Sequence, residues 1–294
     1  MKKLFFVMNP FAGMRKANKV LADILAIFNR ADFDVTVYIT QSQGDAQEVV
    51  CHRAKEMDLV VCCGGDGTFN ETVAGLLESG AQVPVGYIPA GSTNDFANSL
   101  NLPLDPVEAA KQIVNGTPES FDVGLFNGRA FTYVASFGAF TKTSYNTPQN
   151  VKNALGHAAY VLGGIQELSQ LRNKIPLKIQ MDGETVEGDF IFGAICNSTS
   201  VGGIISLDPQ KVDMSDGLFE VLLVRYPKDF TEVAESVQAV QKQTYNSTMM
   251  LFRSAKQITV TAESEVVWTL DGEKGPGCET VEVKNLRQAL QLVR

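Results

Sequence analysis

Residues 59–71 read LVVCCGGDGTFNE, an apolar run followed directly by three glycines that flank one carboxylate. The run from Leu59 to Cys63 is typical of a buried strand. Thr68 and Glu71 have the spacing of a capping box, which predicts that a helix begins at Thr68. Glycines at a strand end let backbone N–H groups approach an anion, and a helix N-terminus adds partial positive charge. The stretch therefore predicts a phosphate-binding loop, with a tight turn and a capped helix as the plainer alternative.

Two other strand ends carry similar loops. The segment Asn9–Gly13 reads NPFAG after the first apolar run, and residues 89–96 read PAGSTNDF after the fourth. The hydroxyl groups of this last loop are predicted to cap the next helix and to bind phosphate oxygens. Because ligands of open parallel sheets bind at the carboxyl ends of the strands, the three loops are expected to converge on one site.

The order of the patterns predicts two domains. Up to about residue 120, apolar runs alternate with helical periodicity, which is typical of a parallel sheet covered on both faces. After Asp122 the pattern changes, and Asn127-Gly128 and Asp182-Gly183 each lie between strand-like runs, the strongest short hairpin signal. The second half is therefore predicted to be mainly antiparallel sheet, with helices near 150–172 and 230–242.

Composition excludes several classes of protein. The 294-residue chain has 45% hydrophobic residues and a formal net charge of −8, so it is globular and lacks the basic footprint that nucleic acid requires. No apolar stretch approaches the ~18 residues of a membrane span. The five cysteines form no CxxC pair, which favours a reducing, cytoplasmic compartment over a disulfide framework or a zinc site.

Two acidic segments of the second half are ambiguous on spacing alone. Residues 268–273 read WTLDGE, in which Asp271 and Glu273 flank a glycine, but Asp-Gly is also an ordinary hairpin turn. Residues 208–218 contain three aspartates before a strand-like run, and such a loop can bind magnesium through carboxylates and carbonyl groups. A solvated turn is the commoner explanation. The nucleophile elbow GxSxG and the P-loop signature are both absent from the sequence.

Taken together, these motifs resemble the soluble bacterial diacylglycerol kinase and lipid kinase family, which also includes sphingosine kinases. The resemblance spans nearly the whole chain and rests on NPFAG, GGDGTFNE, PAGSTNDFA, SYNTP at 144–148, the DxxDG loop at 213–217 and the late LDGE. GGDGT alone would fit NAD kinases too, whereas the combination with GSTNDFA and LDGE is specific to the lipid branch. Ser92 departs from the family's usual threonine but keeps the hydroxyl group.

The resemblance implies an N-terminal α/β ATP-binding domain at 1–123, joined by the C-terminal segment 286–294, and a C-terminal antiparallel β-sandwich domain at 124–285 for the lipid. It implies ATP contacts by the residues of the three loops and of strand two: Asn9, Pro10, Phe11, Ala12, Gly13, Thr40, Gly65, Asp66, Gly67, Thr68, Phe69, Asn70, Glu71 and Ser92. Glu273 or Asp271 would be the base, and Asp66 would help to hold the catalytic metal and the phosphates. A structural Mg²⁺ would be bound by Asp213, Asp216 and the carbonyl group of Leu218.

The expected activity is transfer of the γ-phosphoryl group of ATP, with Mg²⁺, to a lipid hydroxyl, with diacylglycerol giving phosphatidic acid as the first expectation. An NAD kinase-like enzyme with a soluble substrate and a nucleotide-binding regulatory module without turnover are the alternatives. The protein is expected to be cytoplasmic and to contact the membrane surface transiently. The identity of the lipid and the oligomeric state, including a homodimer, stay open.

Overall fold

The computed structural model describes residues 1–13, 15–138, 174–201, 205–208 and 210–294. The predicted helix at 150–172 and the SYNTP motif lie outside these ranges. The chain divides into two compact units by its internal contacts. The first unit comprises Met1–Val123, Arg129–Thr132 and Leu286–Arg294, and the second comprises Gly124–Gly128 and Tyr133–Asn285.

Strands and helices alternate in the first unit, as its sequence patterns predict. A short 3₁₀ turn, Ala54–Glu56, extends the third helix. The elements are β1 (Lys2–Met8), α1 (Lys16–Lys19), α2 (Leu21–Arg30), β2 (Phe33–Ile39), α3 (Asp45–Arg53), β3 (Leu59–Gly64), α4 (Asp66–Ser79), β4 (Val85–Pro89), α5 (Asp95–Ser99) and α6 (Pro106–Asn115).

The sheet of the first unit has the strand order β2-β1-β3-β4, and each neighbouring pair runs parallel. The C-terminal segment adds to its edge, because Leu292 pairs in parallel with Val85 of β4. The switch point lies between β1 and β3, because β2 lies on one side of β1 and β3 and β4 lie on the other. In open α/β sheets this switch point, at the carboxyl ends of the strands, is where ligands bind.

The buried core explains why these elements form. Alternate residues of β1, Leu4 and Phe6, pack with Ile24 and Phe28 from one side of α2. All seven residues of β1 except the two lysines at its start are buried, which is typical of a strand covered on both faces. The apolar periodicity of the sequence therefore corresponds to real layers of helix on sheet.

The remaining elements contribute mainly to the second unit, whose strands are long. They are β5 (Pro118–Phe126), β6 (Arg129–Phe131), β7 (Val134–Gly138), β8 (Ile175–Met181), β9 (Glu184–Cys196), β10 (Ser200–Val201), β11 (Ile205–Ser206), β12 (Phe219–Arg225), α7 (Phe230–Gln241), β13 (Met250–Ala255), β14 (Gln257–Leu270) and β15 (Glu273–Val293).

Antiparallel pairing dominates the second unit. β7 and β8 lie end to end between β9 and β14, because Gly138 pairs with Phe192 and Ile175 pairs with Phe190 of the same strand. β12 and then β13 continue the sheet beyond β9, and residues 273–284 of β15 pair with β14. The predicted hairpins at Asn127-Gly128 and Asp182-Gly183 are present, and all four residues have positive φ.

The two-domain prediction, an α/β unit followed by a mainly β unit, is confirmed. The predicted helix near 230–242 is α7. The arrangement of the second unit as a two-layered sandwich stays a prediction, because the described pairings place β7–β9 and β12–β15 in one sheet. Among the described residues, no helix is both long enough and apolar enough to cross a bilayer.

Candidate active site

The loops at the carboxyl ends of the first unit's strands are joined by backbone hydrogen bonds. The N–H of Asn9 donates to the carbonyl oxygen of Cys63 at 2.9 Å, and the N–H of Ala90 donates to that of Gly64 at 2.7 Å. On the other side of β1, the N–H of Thr40 donates to the carbonyl oxygen of Met8 at 2.9 Å. The structure therefore brings the three predicted loops, after β1, β3 and β4, into one continuous rim, together with Thr40 just after β2.

Glycine is required where two of these loops touch. A Cβ at Gly91 would lie 2.6 Å from the Cα of Gly65 and 2.8 Å from Oδ1 of Asn94. A Cβ at Gly13, whose φ is +49°, would overlap the carbonyl oxygen of Ala90. Side chains at these positions would force the backbones apart. At these two contacts the rim consists of main chain, which suits close contact with phosphate oxygens.

Asn9 connects the first loop to the start of α4. Its Nδ2 donates to Oγ1 of Thr68 at 3.0 Å, and its Oδ1 accepts the N–H of Phe11 at 2.9 Å. The predicted capping box is wrong, because α4 begins at Asp66 with Gly65 as its N-cap. Glu71 reaches a different partner and accepts the N–H of Gly44 at 2.8 Å. Thr68 and Glu71 thus brace neighbouring loops instead of capping their own helix.

Asp66 caps a helix other than its own. Its Oδ2 accepts the N–H of Asp95 at 3.1 Å and its Oδ1 accepts that of Phe96 at 3.4 Å, at the start of α5. The prediction that a hydroxyl group caps this helix is wrong. Its N-cap residue is Asn94, whose side chain makes no capping hydrogen bond. The carboxylate supplies the negative charge that a helix N-terminus favours. Asp66 therefore fixes the Gly91–Asn94 loop relative to α4.

An aromatic stack lies beneath the same loops. The ring of Phe69 stacks on Tyr87 at 4.3 Å and on Phe96 at 4.8 Å between centroids. Phe69 was predicted to contact the nucleotide, but its side chain is fully buried, so only its backbone could do so. The hydroxyl group of Tyr87 has no hydrogen-bond partner within the described part of the chain. Burial, followed by the negative charge of Asp66, raises the pKa of Tyr87 well above its ordinary value.

Sequence reasoning missed two side chains that shape the rim. Asn94, at φ +54°, accepts the N–H of Gly91 at 2.9 Å and donates to its carbonyl oxygen at 3.1 Å, which closes the loop after β4. Asp45 accepts the N–H of Gln41 and the hydroxyl of Tyr38, which holds the chain just after Thr40. Asn94 belongs to the PAGSTNDF segment and is a residue type that favours helix N-caps, and Asp45 is an acid in the first turn of a helix. Both residues could therefore have been identified from the sequence, although only weakly.

The second unit holds the Leu270–Glu273 turn. Asp271 and Gly272 have φ of +49° and +78°, and Leu270 pairs with Glu273, so this is a two-residue hairpin loop with the two positive φ values of a type I′ turn. Asp271 is buried, and its Oδ1 accepts the N–H groups of Tyr133 at 2.9 Å and Val134 at 3.0 Å. Glu273 is half-exposed at the start of β15. The two carboxylates that the sequence could not distinguish therefore have different surroundings.

The predicted metal-binding loop also lies in the second unit. Oδ1 of Asp213 accepts from the N–H and hydroxyl of Ser215, and Oδ1 of Asp216 accepts from the N–H of Leu218 at 2.8 Å. Within the described ranges, no three Asp, Glu, His or Cys side chains are grouped closely enough to hold a metal ion. These hydrogen bonds use one oxygen of each aspartate, so a cation held by this loop would have few protein ligands and would keep several of its waters, as Mg²⁺ does.

Glu220 follows this loop and is almost completely buried. Its Oε2 lacks a hydrogen-bond partner in the described part of the chain. Burial, followed by the negative charge of Asp216, raises the pKa of the Glu220 carboxyl to about 8. A buried, unpaired carboxyl oxygen close to two aspartates is an arrangement that a bound cation would stabilise.

Two family models match the two halves of the chain. The diacylglycerol kinase catalytic domain family matches residues 3–126, and the YegS C-terminal NAD kinase beta sandwich-like domain family matches residues 135–294. A diacylglycerol kinase of Bacillus subtilis (strain 168) is 31% identical over 295 residues, which cover 100% of this chain and 96% of that protein. A diacylglycerol kinase of Staphylococcus carnosus (strain TM300) is 28% identical and covers 99% of this chain and 94% of its own.

A solved structure has the same fold. The crystal structure of a candidate diacylglycerol kinase from Bacillus anthracis str. Sterne superposes with a TM-score of 0.83 at 27% identity. It covers 99% of this chain and 95% of its own. The similarity therefore includes both units and is not limited to the glycine-rich loops.

Proposed function

Because this chain belongs to the diacylglycerol kinase family, we propose that it is a lipid kinase that transfers the γ-phosphoryl group of ATP to a lipid hydroxyl group. Diacylglycerol, with phosphatidic acid as the product, is the first candidate, since the relatives at 31% and 28% identity are named for that substrate. The single observation that supports the chemistry most strongly is the contact of the Gly65 and Gly91 backbones at the carboxyl ends of β3 and β4.

The rim of the first unit is proposed to bind the phosphates of ATP. Phosphoryl transfer depends mainly on positioning and on stabilising charge, and backbone N–H groups at strand and helix ends supply both. Ser92 is exposed on this rim, so its hydroxyl group can reach a phosphate oxygen. The contacts are assigned to Asn9–Gly13, Thr40, Gly65–Glu71 and Ser92.

Glu273 is proposed as the general base that takes the proton from the lipid hydroxyl group. It is the half-exposed member of the Asp271–Glu273 pair, and a base must reach its substrate. Asp66 is proposed to hold the phosphate loops through the start of α5. A positioned carboxylate base typically contributes about 10²–10⁴-fold to the rate of proton transfer.

Magnesium is proposed at the Asp213–Leu218 loop, held by the carboxylates of Asp213 and Asp216 and the carbonyl group of Leu218. The same carbonyl oxygen accepts from Nδ2 of Asn285 at 3.2 Å, which orients it. A bound magnesium ion would offset the negative charge of this loop. In this assignment Glu220 supports the site from the buried side.

Nucleotide binding and lipid binding are assigned to different domains. Residues 1–123 with 286–294 are proposed as the nucleotide-binding domain and residues 124–285 as the lipid-binding domain. The enzyme is proposed to act from the cytoplasm on lipid at the membrane surface. Phe11 is two-thirds exposed at the rim, with the guanidinium group of Arg15 5.1 Å from its ring centroid, and is a candidate for lipid contact.

The test is transfer of labelled phosphate from ATP, with magnesium, to a panel of lipids in mixed micelles, with NAD as a parallel soluble acceptor. Labelled phosphatidic acid from the wild type and loss of product by at least 100-fold in Glu273→Gln are the expected results. Labelling of NAD alone would assign the chain to a soluble substrate and overturn the proposal. ATP binding without any labelled product would leave a nucleotide-binding regulatory module.

A further inference from the structure

Two hairpin turns of the second unit make similar contacts with an adjoining segment of the chain. In each, an Asp-Gly pair occupies the turn and both residues have positive φ: Asp182-Gly183 between β8 and β9, and Asp271-Gly272 between β14 and β15. The first turn carries no proposed chemistry. It therefore shows what an aspartate does in this position when only the fold requires it.

The Asp182 turn holds the start of β14. Its Oδ2 accepts the N–H of Lys256 and its Oδ1 accepts the N–H of Gln257, both at 2.9 Å. Its own N–H donates to the carbonyl oxygen of Gln257 at 3.1 Å. The aspartate thus binds two consecutive backbone N–H groups and one carbonyl group of the adjoining chain.

Asp271 repeats this pattern on the chain leading into β7. Its Oδ1 accepts the consecutive N–H groups of Tyr133 and Val134, and its own N–H donates to the carbonyl oxygen of Val134 at 2.8 Å. The pairing continues along the strands, since Leu270 pairs with Ala135. Two differences remain: Asp182 is exposed and accepts with both oxygens, whereas Asp271 is buried and accepts both N–H groups with Oδ1.

The same turn also packs against Tyr133 through its second residue. A Cβ at Gly272 would lie 3.2 Å from the hydroxyl oxygen of Tyr133, so the turn and this ring are in close contact. Glu273 follows immediately and is the first residue of β15. Its backbone position is therefore set by the contacts of Asp271 and Gly272 with Tyr133 and Val134.

We propose that Asp271 is a positioning residue, which binds the backbone N–H groups of Tyr133 and Val134 and thereby fixes the turn that carries Glu273. This inference rests on the proposed function, because it assigns the base to Glu273 alone. Asp271 does not exchange a proton in the reaction. Its carboxylate acts only as a hydrogen-bond acceptor, a role that the amide oxygen of asparagine can also fill.

The experiment compares Asp271→Asn and Asp271→Ala with the matched control pair Asp182→Asn and Asp182→Ala, and with Glu273→Gln. Asp271→Asn should keep at least a tenth of the wild-type kcat, whereas Glu273→Gln should lose 100-fold or more. Asp271→Ala should lower kcat at least 10-fold with little change in KM for ATP. Both Asp182 variants should keep wild-type kcat, although the unfolding midpoint of Asp182→Ala should lie at a lower urea concentration than that of the wild type.

Hydrogen exchange gives a readout that does not depend on turnover. Asp271→Ala should speed exchange of the Tyr133 and Val134 amides at least 10-fold, and Asp271→Asn should leave it near wild type. If Asp271→Asn is as inactive as Glu273→Gln in an active wild-type background, the positioning role is overturned while the kinase assignment stands. If the wild type labels no lipid, the proposed function fails by itself. Unchanged exchange in Asp271→Ala would overturn the contact as the means of positioning.

Discussion

Gly91→Ala tests whether close contact of two backbones is what makes the phosphate rim. The φ of Gly91 is outside the left-handed region, so alanine is not excluded by its backbone conformation. The added Cβ would instead lie 2.6 Å from the Cα of Gly65, where ordinary contact begins at 3.4 Å. The loops after β3 and β4 must therefore separate by about 0.8 Å, because the atom that is approached is main chain and cannot rotate away.

The size of the effect follows from this displacement. Overpacking of this kind costs about 1–3 kcal/mol of folding free energy. Loss of one charged hydrogen bond from the rim to a phosphate would cost roughly 1.5–3 kcal/mol of binding free energy, which corresponds to about a 10–150-fold rise in Kd for ATP. The assay is calorimetric titration of ATP with magnesium, together with urea unfolding of the same samples.

Gly80→Ala is the matched control. Gly80 ends α4 at φ +67° and a Cβ there meets nothing within 4 Å, so alanine is strained but overlaps no neighbour. It should lose about 1–2 kcal/mol of stability, because alanine is disfavoured in the left-handed conformation, and keep wild-type affinity for ATP. Wild-type affinity in Gly91→Ala, measured on folded protein, would refute the reasoning that backbone contact at this position shapes the nucleotide site.

Three further predictions concern buried groups. Only Cys51 and Cys278 should react rapidly with a thiol reagent in the folded protein, even at pH 9, because burial raises the pKa of the other three thiols; fast labelling of those three would contradict this. Tyr87→Phe should raise the free energy of unfolding by about 1 kcal/mol, since it removes a buried hydroxyl group without a partner in the described part of the chain, and a loss in urea unfolding would contradict it. Burial raises the pKa of the Glu220 carboxyl to about 8 from its ordinary value of 4.5, so the stability that comes from protonating it in the folded state is present at low pH and is lost as pH rises through 8. In urea unfolding at several pH values, the free energy of unfolding of the wild type should therefore fall relative to that of Glu220→Gln, by up to about 1.4 kcal/mol per pH unit between pH 5 and 8. A difference that does not depend on pH would contradict the raised pKa of Glu220.

The layers of the first unit were predictable because they depend on local patterns. Runs such as Leu59–Cys63 are buried strands, and the helical spacing of Ile24 and Phe28 marks the buried side of α2. The Asn-Gly and Asp-Gly pairs located hairpins because a two-residue loop with positive φ values at both positions leaves few other residue choices. Such signals depend on neighbours within a few residues, which the sequence shows directly.

Partners distant in the chain were not predictable. Thr68 and Glu71 have capping-box spacing, yet they bind Asn9 and Gly44. Residues at capping-box spacing can bind either their own helix or another loop. Here they bind other loops, because the helix already begins at Asp66. Likewise, α5 is capped by the carboxylate of Asp66, 29 residues before Asp95, and not by a hydroxyl group of the loop after β4.

Asp66 and Asp271 show that a carboxylate within a catalytic motif can hold the backbone of another element in place. Both were assigned to catalysis from motifs, and in the structure both accept consecutive backbone N–H groups at the start of another element. Replacing either with alanine removes a charge and also leaves two N–H groups without their acceptor, so loss of turnover alone cannot separate the two causes. At Asp271, where Oδ1 accepts both N–H groups, asparagine separates the two causes, because it keeps that oxygen acceptor and removes only the charge. At Asp66 each oxygen accepts one N–H group, so asparagine would also turn its NH2 group toward one of them. Activity that survives asparagine but not alanine would identify a residue that holds the site in place.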